Sequence, residues 1–343
     1  MENEFPISRN EYLASTIVFI DGIEGCGKTM LAPIVSAFDR VELPCYAYEV
    51  EHLCALEYLG KLSSQAAKKT ISLLADLQIY NLMQSREVNF RHSDISSVFK
   101  SGKSLLYLKR LFQAGDSASM DRIKADRPIL LLTTHRMMAF GVPIFEALNK
   151  RLIFIEVVRH PLYMVIQNYL NFTSLLNTAR DFTIYYEIGT NEFPYFVSGW
   201  EDLYLKSSPI DRAVHYLNEA TIRSKKNREL AKESSAKVLT IPFESFVTNP
   251  DGYLKLIESS IGSSITSKTY AMLKRQNVPR KKYADSINLD VYRRCGWVPS
   301  KNGFSEQQEL EQRRQWVASI ASAEAVDILD ALSIDYENTF MPK

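Results

Sequence analysis

Gly22-Ile-Glu-Gly-Cys-Gly-Lys-Thr29 is the stretch whose residue types point most directly to chemistry. Its spacing is Gly-x4-Gly-Lys-Thr, with an apolar run, Thr16-Ile-Val-Phe-Ile20, before it and a helical pattern from about Thr29 to Phe38 after it. Glycines let backbone N–H groups turn inward around an anion, and the start of the following helix adds its positive end. Lys28 supplies a point charge for a phosphate oxygen and Thr29 a hydroxyl. A ligand-free strand-to-helix turn would account for the glycines alone, but not for the whole pattern in this context. Gly22, Gly25, Cys26, Gly27, Lys28 and Thr29 are therefore the candidate phosphate contacts.

Arg159 is a second candidate. It follows Leu152-Ile-Phe-Ile-Glu-Val-Val158 and precedes Pro161, which suits the first turn of a helix. In an open parallel sheet, ligands sit in the crevice at such strand ends, and a guanidinium fork matches phosphate oxygens. Taken alone, Arg159 fits a salt-bridged strand-end arginine better. A Mg-ATP enzyme would want an acidic metal ligand at the end of a neighbouring strand. Asp21 reads as a turn residue, and Glu156 lies inside a strand that leads into a basic residue. No metal ligand is assigned.

These residues need strands to position them. Thr16–Ile20, Ile129–Thr133, Leu152–Val158 and Val238–Pro242 are short apolar runs, each followed by a helical pattern. Continuous apolar strands alternating with helices indicate a parallel sheet covered on both faces, hence an α/β fold. Helices are expected from about Leu162 to Phe172 and Gly252 to Ile261, and over 305–333 with Ser305 as N-cap. Two insertions interrupt the pattern. Residues 52–126 carry leucines at helical spacing, and 173–212 are aromatic and irregular. The whole of 1–343 reads as a single domain.

With 41 Lys plus Arg against 40 Asp plus Glu, the net charge of +1 argues against a dedicated nucleic-acid binder. Hydrophobic residues at 46% are enough for a sizeable core. The acidic N-terminus lacks a leader pattern, and no apolar run approaches the ~18 residues that span a bilayer. Four cysteines without Cys-x-x-Cys spacing speak against a zinc site or disulfide framework. The expectation is a soluble, cytoplasmic chain.

Arg159-His-Pro161 after its apolar strand resembles the 3′-phosphate motif of the sulfotransferases that use 3′-phosphoadenosine 5′-phosphosulfate (PAPS). Gly22-Ile-Glu-Gly-Cys-Gly-Lys-Thr29 is similar to that family's 5′-phosphosulfate loop, usually Gly-x-x-(Arg/Lys)-Ser-Gly-Thr-Thr. Val238-Leu-Thr-Ile-Pro-Phe-Glu-Ser-Phe…Asn249-Pro250 and Arg294-Cys-Gly-Trp297 resemble later family elements, in the same order, over about residues 16–335. Two positions depart from the pattern. Gly25 stands where the family has its basic residue, with Lys28 three positions on, and Gln167 stands where a serine holds the 3′-phosphate.

The resemblance implies PAPS as donor, bound by the loop, Arg159, Gln167 and the Arg293-Arg294 pair, and a small-molecule or glycan acceptor in a cleft formed by the insertions. Thr133-Thr-His135 resembles the Lys-Thr-His element whose histidine takes the acceptor proton, a task suited to a side chain of pKa ~6.5. It also offers a rival base, a glutamate after the second strand, for which Glu49 and Glu51 alternate in strand fashion. Lys28 would stabilise charge on the leaving phosphate. Two other readings stay open: a P-loop kinase using Mg-ATP, and a nucleotide-binding module without catalysis.

Overall fold

The computed structural model describes residues 7–92, 96–283 and 305–341. Strands β1 (Ile17–Asp21), β2 (Val41–Tyr46), β3 (Ile129–Thr133) and β4 (Leu152–Val158) share one parallel sheet. A separate antiparallel hairpin of β5 (Tyr185–Ile188) and β6 (Asn191–Pro194) follows, and β7 (Lys237–Pro242) completes the sheet in the order β2-β3-β1-β4-β7. This is an α/β fold.

The strands are apolar throughout because both sheet faces are buried. Val18 and Ile20 of β1 enter one core with Leu131, Ile153 and Ile155, while Ile17 and Phe19 enter another with Leu130, Leu132 and Phe154. Helix α1 (Lys28–Ser36) covers the first face, and α2 (Tyr48–Tyr58) and α3 (Ser64–Met83) the second. The segment to residue 126 continues as α4 (Ser104–Arg110) and α5 (Ser117–Asp126). Next come α6 (Met137–Phe140), α7 (Val142–Leu148) and α8 (Pro161–Ser174), then α9 (Glu201–Lys206) and α10 (Pro209–Glu233). Helices α11 (Phe243–Thr248), α12 (Asp251–Ile261), Glu306–Ala318 and Ala323–Phe340 finish the layer around the first core. Ser305 caps its helix through a reciprocal bond with Gln308. Among the described residues no helix is long and apolar enough to cross a membrane.

Three expectations are corrected. Glu49 and Glu51 do not alternate along a strand. The second strand is 41–46, and both glutamates lie in the first turn of α2, where acids favour the helix N-terminus. The strand was obscured by Pro44, tolerated because β2 is an edge whose register shifts between Val41 and Pro44. Asp21 is the final residue of β1, paired in register with Glu156, not a turn residue. The stretch 173–212 is less irregular than its composition suggests, holding the hairpin, α9 and the start of α10, with Ser208 as N-cap.

Candidate functional site

β1 lies between β3 and β4, so the crevice at the carboxyl end of the sheet opens where the chain changes direction. There β1 turns through the glycine loop into α1. Gly27 caps α1 with a φ of 102°, and a Cβ on it would stand 2.3 Å from the Phe243 ring. A Cβ on Gly22 would stand 2.4 Å from the Val157 carbonyl oxygen. Neither position admits a side chain.

Three neighbours hold the loop in place. The Arg136 N–H donates to the Gly22 carbonyl at 3.2 Å, Asn168 Nδ2 to that of Glu24 at 3.0 Å, and Arg159 Nη1 to that of Gly25 at 3.0 Å. Lys28 is buried, with its Nζ on the Gly22 carbonyl at 3.0 Å. Gly25, Gly27, Lys28 and Thr29 line a cavity of about 470 Å³. Cys26 faces the other way: its thiol joins the first core, burial pushes its pKa up, and its N–H closes the turn on Ile23.

Arg159 stands on the same cavity, 7% exposed. Its guanidinium carbon lies 4.2 Å from the Phe243 ring centroid and 4.8 Å from that of Tyr163. Its Nε is buried without a hydrogen-bond partner among the described residues. A buried donor left unmade is costly, and an anionic oxygen would satisfy it. Gln167, which lines the cavity as well, donates through Nε2 to Asn171 Oδ1 at 3.1 Å. Arg293 and Arg294 lie outside the described residues.

The residue after Arg159 is fastened from far along the chain. The His160 N–H donates to Glu244 Oε1 at 3.1 Å, and Tyr336 OH donates to the other oxygen of Glu244 at 2.5 Å. His160 Nδ1 accepts from the Leu162 N–H at 3.2 Å, so Nε2 carries the ring proton toward Glu337 Oε1 at 3.1 Å. Burial holds the His160 pKa below its usual value, consistent with a neutral ring.

His135 and Glu51, rivals in the sequence, form one unit. Glu51 Oε1 accepts from the His135 backbone N–H at 2.8 Å and sits 2.9 Å from Nδ1. That contact assigns the proton to Nδ1 and leaves Nε2 as an acceptor. The imidazole stacks on Tyr46 and Tyr48 with ring centroids 6.1 and 6.2 Å away. Both His135 and Glu51 line the cavity, whereas Glu49 is exposed and does not.

A pair that sequence reading missed lies beside them. Arg136 donates through Nε to Glu24 Oε1 at 2.9 Å and also through Nη2, and Tyr216 OH donates to Glu24 Oε2 at 2.7 Å. Phe196, Tyr216 and Tyr195 surround the guanidinium, the nearest centroid 4.5 Å away. Burial works against the Glu24 charge, but Arg136, Lys28 and His135 outweigh it and hold the carboxyl down at about 2. No spacing rule links residues 24, 136 and 216, so the sequence carried no signal for this contact. Of the aromatic segment, Phe182, Tyr195 and Phe196 reach the cavity wall.

The other carboxyls near the loop are engaged as well. Asp21 accepts from Thr134 Oγ1 at 2.9 Å and from the Met137 and Met138 N–H groups at 3.0 and 2.9 Å. Glu156 meets Arg228 through both oxygens, at 2.9 and 3.1 Å, although burial still pushes its pKa up to about 7. The cavity thus combines two cations, Lys28 and Arg159, with a histidine held by a carboxylate.

No family model matches the chain, and no curated protein matches it. Among solved structures it is similar to the sulfotransferase domain of the Synechococcus PCC 7002 olefin synthase, at 14% identity over 90% of this chain and 97% of that one, TM-score 0.40. It is also similar to the sulfotransferase domain from the curacin biosynthetic pathway, at 12% identity over 88% and 97%, TM-score 0.41. A third is mouse sulfotransferase SULT7A1 complexed with PAP, at 11% identity over 93% and 89%, TM-score 0.36.

Proposed function

We propose that this chain is a PAPS-dependent sulfotransferase acting on a hydroxyl or amine. One observation carries the reading: a single cavity joins the glycine loop and Lys28, the guanidinium of Arg159 with its partnerless Nε, and the Glu51–His135 pair. Loop and Lys28 suit the 5′-phosphosulfate end, and Arg159 with Gln167 the 3′-phosphate. Bound PAPS supplies the sulfuryl group. His135 Nε2 accepts the acceptor proton as the acceptor–sulfur bond forms, Glu51 stabilises the resulting imidazolium, and Lys28 offsets the charge gained by the departing phosphate.

Engagement of Asp21, Glu24 and Glu156 with other donors favours this reading over a Mg-ATP kinase. Calorimetric titration of 3′-phosphoadenosine 5′-phosphate (PAP) and ADP, each with and without Mg²⁺, tests it. PAP is expected to bind more tightly without magnesium. Equal affinities, or binding only with Mg²⁺, would transfer the assignment to the kinase.

Arg159→Ala is expected to weaken PAP by about 2 kcal/mol or more, the cost of a charge-assisted contact in a desolvated site. ADP, which lacks the 3′-phosphate, should bind the variant as it binds the parent. An equal loss for both ligands would make Arg159 a support of the loop through Gly25.

A further inference from the structure

The cavity wall opposite in character to the phosphate loop comes from α2, the end of α8 and the segment after it. Tyr48, Phe172, Leu175, Leu176, Phe182 and Ile184 line it. Tyr48 and Phe182 are 40% and 65% exposed, high for aromatics, and meet edge to face at 6.2 Å. Tyr48 is the same ring that stacks on His135. His52 Nε2 contacts the Phe182 carbonyl at 2.7 Å, fastening this segment to α2. A glycan would leave many hydroxyls unpaired against such a wall, whereas a planar apolar body would find stacking surfaces beside the base.

Two adjoining charged residues, Arg180 and Asp181, interrupt this wall, with Asn171 and Thr183 beside them. The Arg180 side chain lines the cavity, and its guanidinium has no ion-pair or hydrogen-bond partner among the described residues. Its neighbour Asp181 is spent locally, accepting from Tyr185 OH at 2.6 Å and from the Asn177 and Thr183 N–H groups at 3.0 Å each. Arg180 also acts electrostatically on the Tyr48 hydroxyl, which places its charge near the ring that flanks His135. Lys28 and Arg159 are accounted for by the donor, and Arg136 by Glu24. Arg180 is the cation left over on the acceptor side.

We propose that the acceptor is an aromatic alcohol bearing a carboxylate, its ring held by Tyr48 and Phe182 and its carboxylate by Arg180. The inference rests on the sulfotransferase reading above. In the transfer the acceptor oxygen–sulfur bond forms and the bridging sulfur–oxygen bond of the donor breaks. The electron pair of that bond stays on the 5′-phosphate oxygen, and the acceptor proton goes to His135 Nε2.

Turnover of 4-hydroxyphenylacetate and of its methyl ester, at saturating PAPS, tests the assignment. The acid is expected to exceed the ester in kcat/KM by about tenfold, the scale of a partly solvated charge-assisted contact. Arg180→Ala should abolish that preference by lowering kcat/KM for the acid to the level of the ester, and Arg180→Glu should invert it. An ester used as well as the acid, or a preference that survives Arg180→Ala, overturns the inference. Calorimetric titration of both phenols, with and without PAP, reads the same preference without chemistry. Failure of PAP to bind would remove the donor assignment, while the acid-over-ester comparison on the nucleotide-free protein still decides the acceptor. Binding of neither phenol overturns it.

Discussion

His135→Ala is expected to lower kcat for sulfuryl transfer by about 10²–10⁴, the usual contribution of a positioned general base. PAP affinity should not change, because the imidazole touches Glu51, Tyr46 and Tyr48 and none of the phosphate anchors. Glu51→Gln keeps an oxygen for the His135 N–H groups but removes the charge that stabilises an imidazolium. It should lower kcat less than His135→Ala. Glu49→Gln should be silent, since Glu49 is exposed and off the cavity wall. Steady-state kinetics with PAP titrations on the three variants check the assignment. Turnover surviving in His135→Ala but collapsing in Glu51→Gln would make the carboxylate the base.

Arg136→Ala carries the largest expected effect on stability, about 3–5 kcal/mol, because it leaves the largely buried Glu24 carboxylate without its cation and with only the Tyr216 hydroxyl beside it. Glu24→Gln in the same chain should recover part of that loss, which urea unfolding of the single and double variants would show. The pH dependence has a definite sign. Glu24 is held at about 2 in the fold against 4.5 for the free group, so its contribution is present above 4.5 and lost as pH falls toward 2. In Arg136→Ala the unpaired carboxyl is destabilising when charged and relieved by a proton. The gap between parent and variant should therefore be widest near neutrality and narrow through that window. A constant gap would mean that Arg136 acts through its packing on Phe196, not through its charge.

Strands buried on both faces were the most legible part of the fold. β3 and β4 begin and end where their apolar runs do, β1 is shifted from its run by one residue, and β7 starts one residue before its run and ends with it. β2 was hidden by its proline, and that shifted the reading of residues 47–51 from helix to strand. The glycine loop and Arg159 were visible because each is local: a turn that needs glycine, a strand end that presents a side chain. The Glu51–His135 contact spans 84 residues and Glu24–Arg136 spans 112, and pairings of that separation follow from the crossing of strands, not from spacing in the chain. Arg180 had no motif to announce it. It becomes conspicuous only when every neighbouring charge has been given a partner.

The fastening of His160 has a consequence for how the molecule is made. Glu337 lies 177 residues beyond the histidine it contacts, and Tyr336 reaches Glu244 and so the backbone next to Arg159. At about 5–20 residues per second, ribosomal synthesis leaves an interval of roughly 9–35 s between the two segments. During that interval the glycine loop and Arg159 already exist as chain, yet the helix that secures the strand end does not. The backbone beside Arg159 therefore stays without its Glu244–Tyr336 and His160–Glu337 fastenings until that helix has been made.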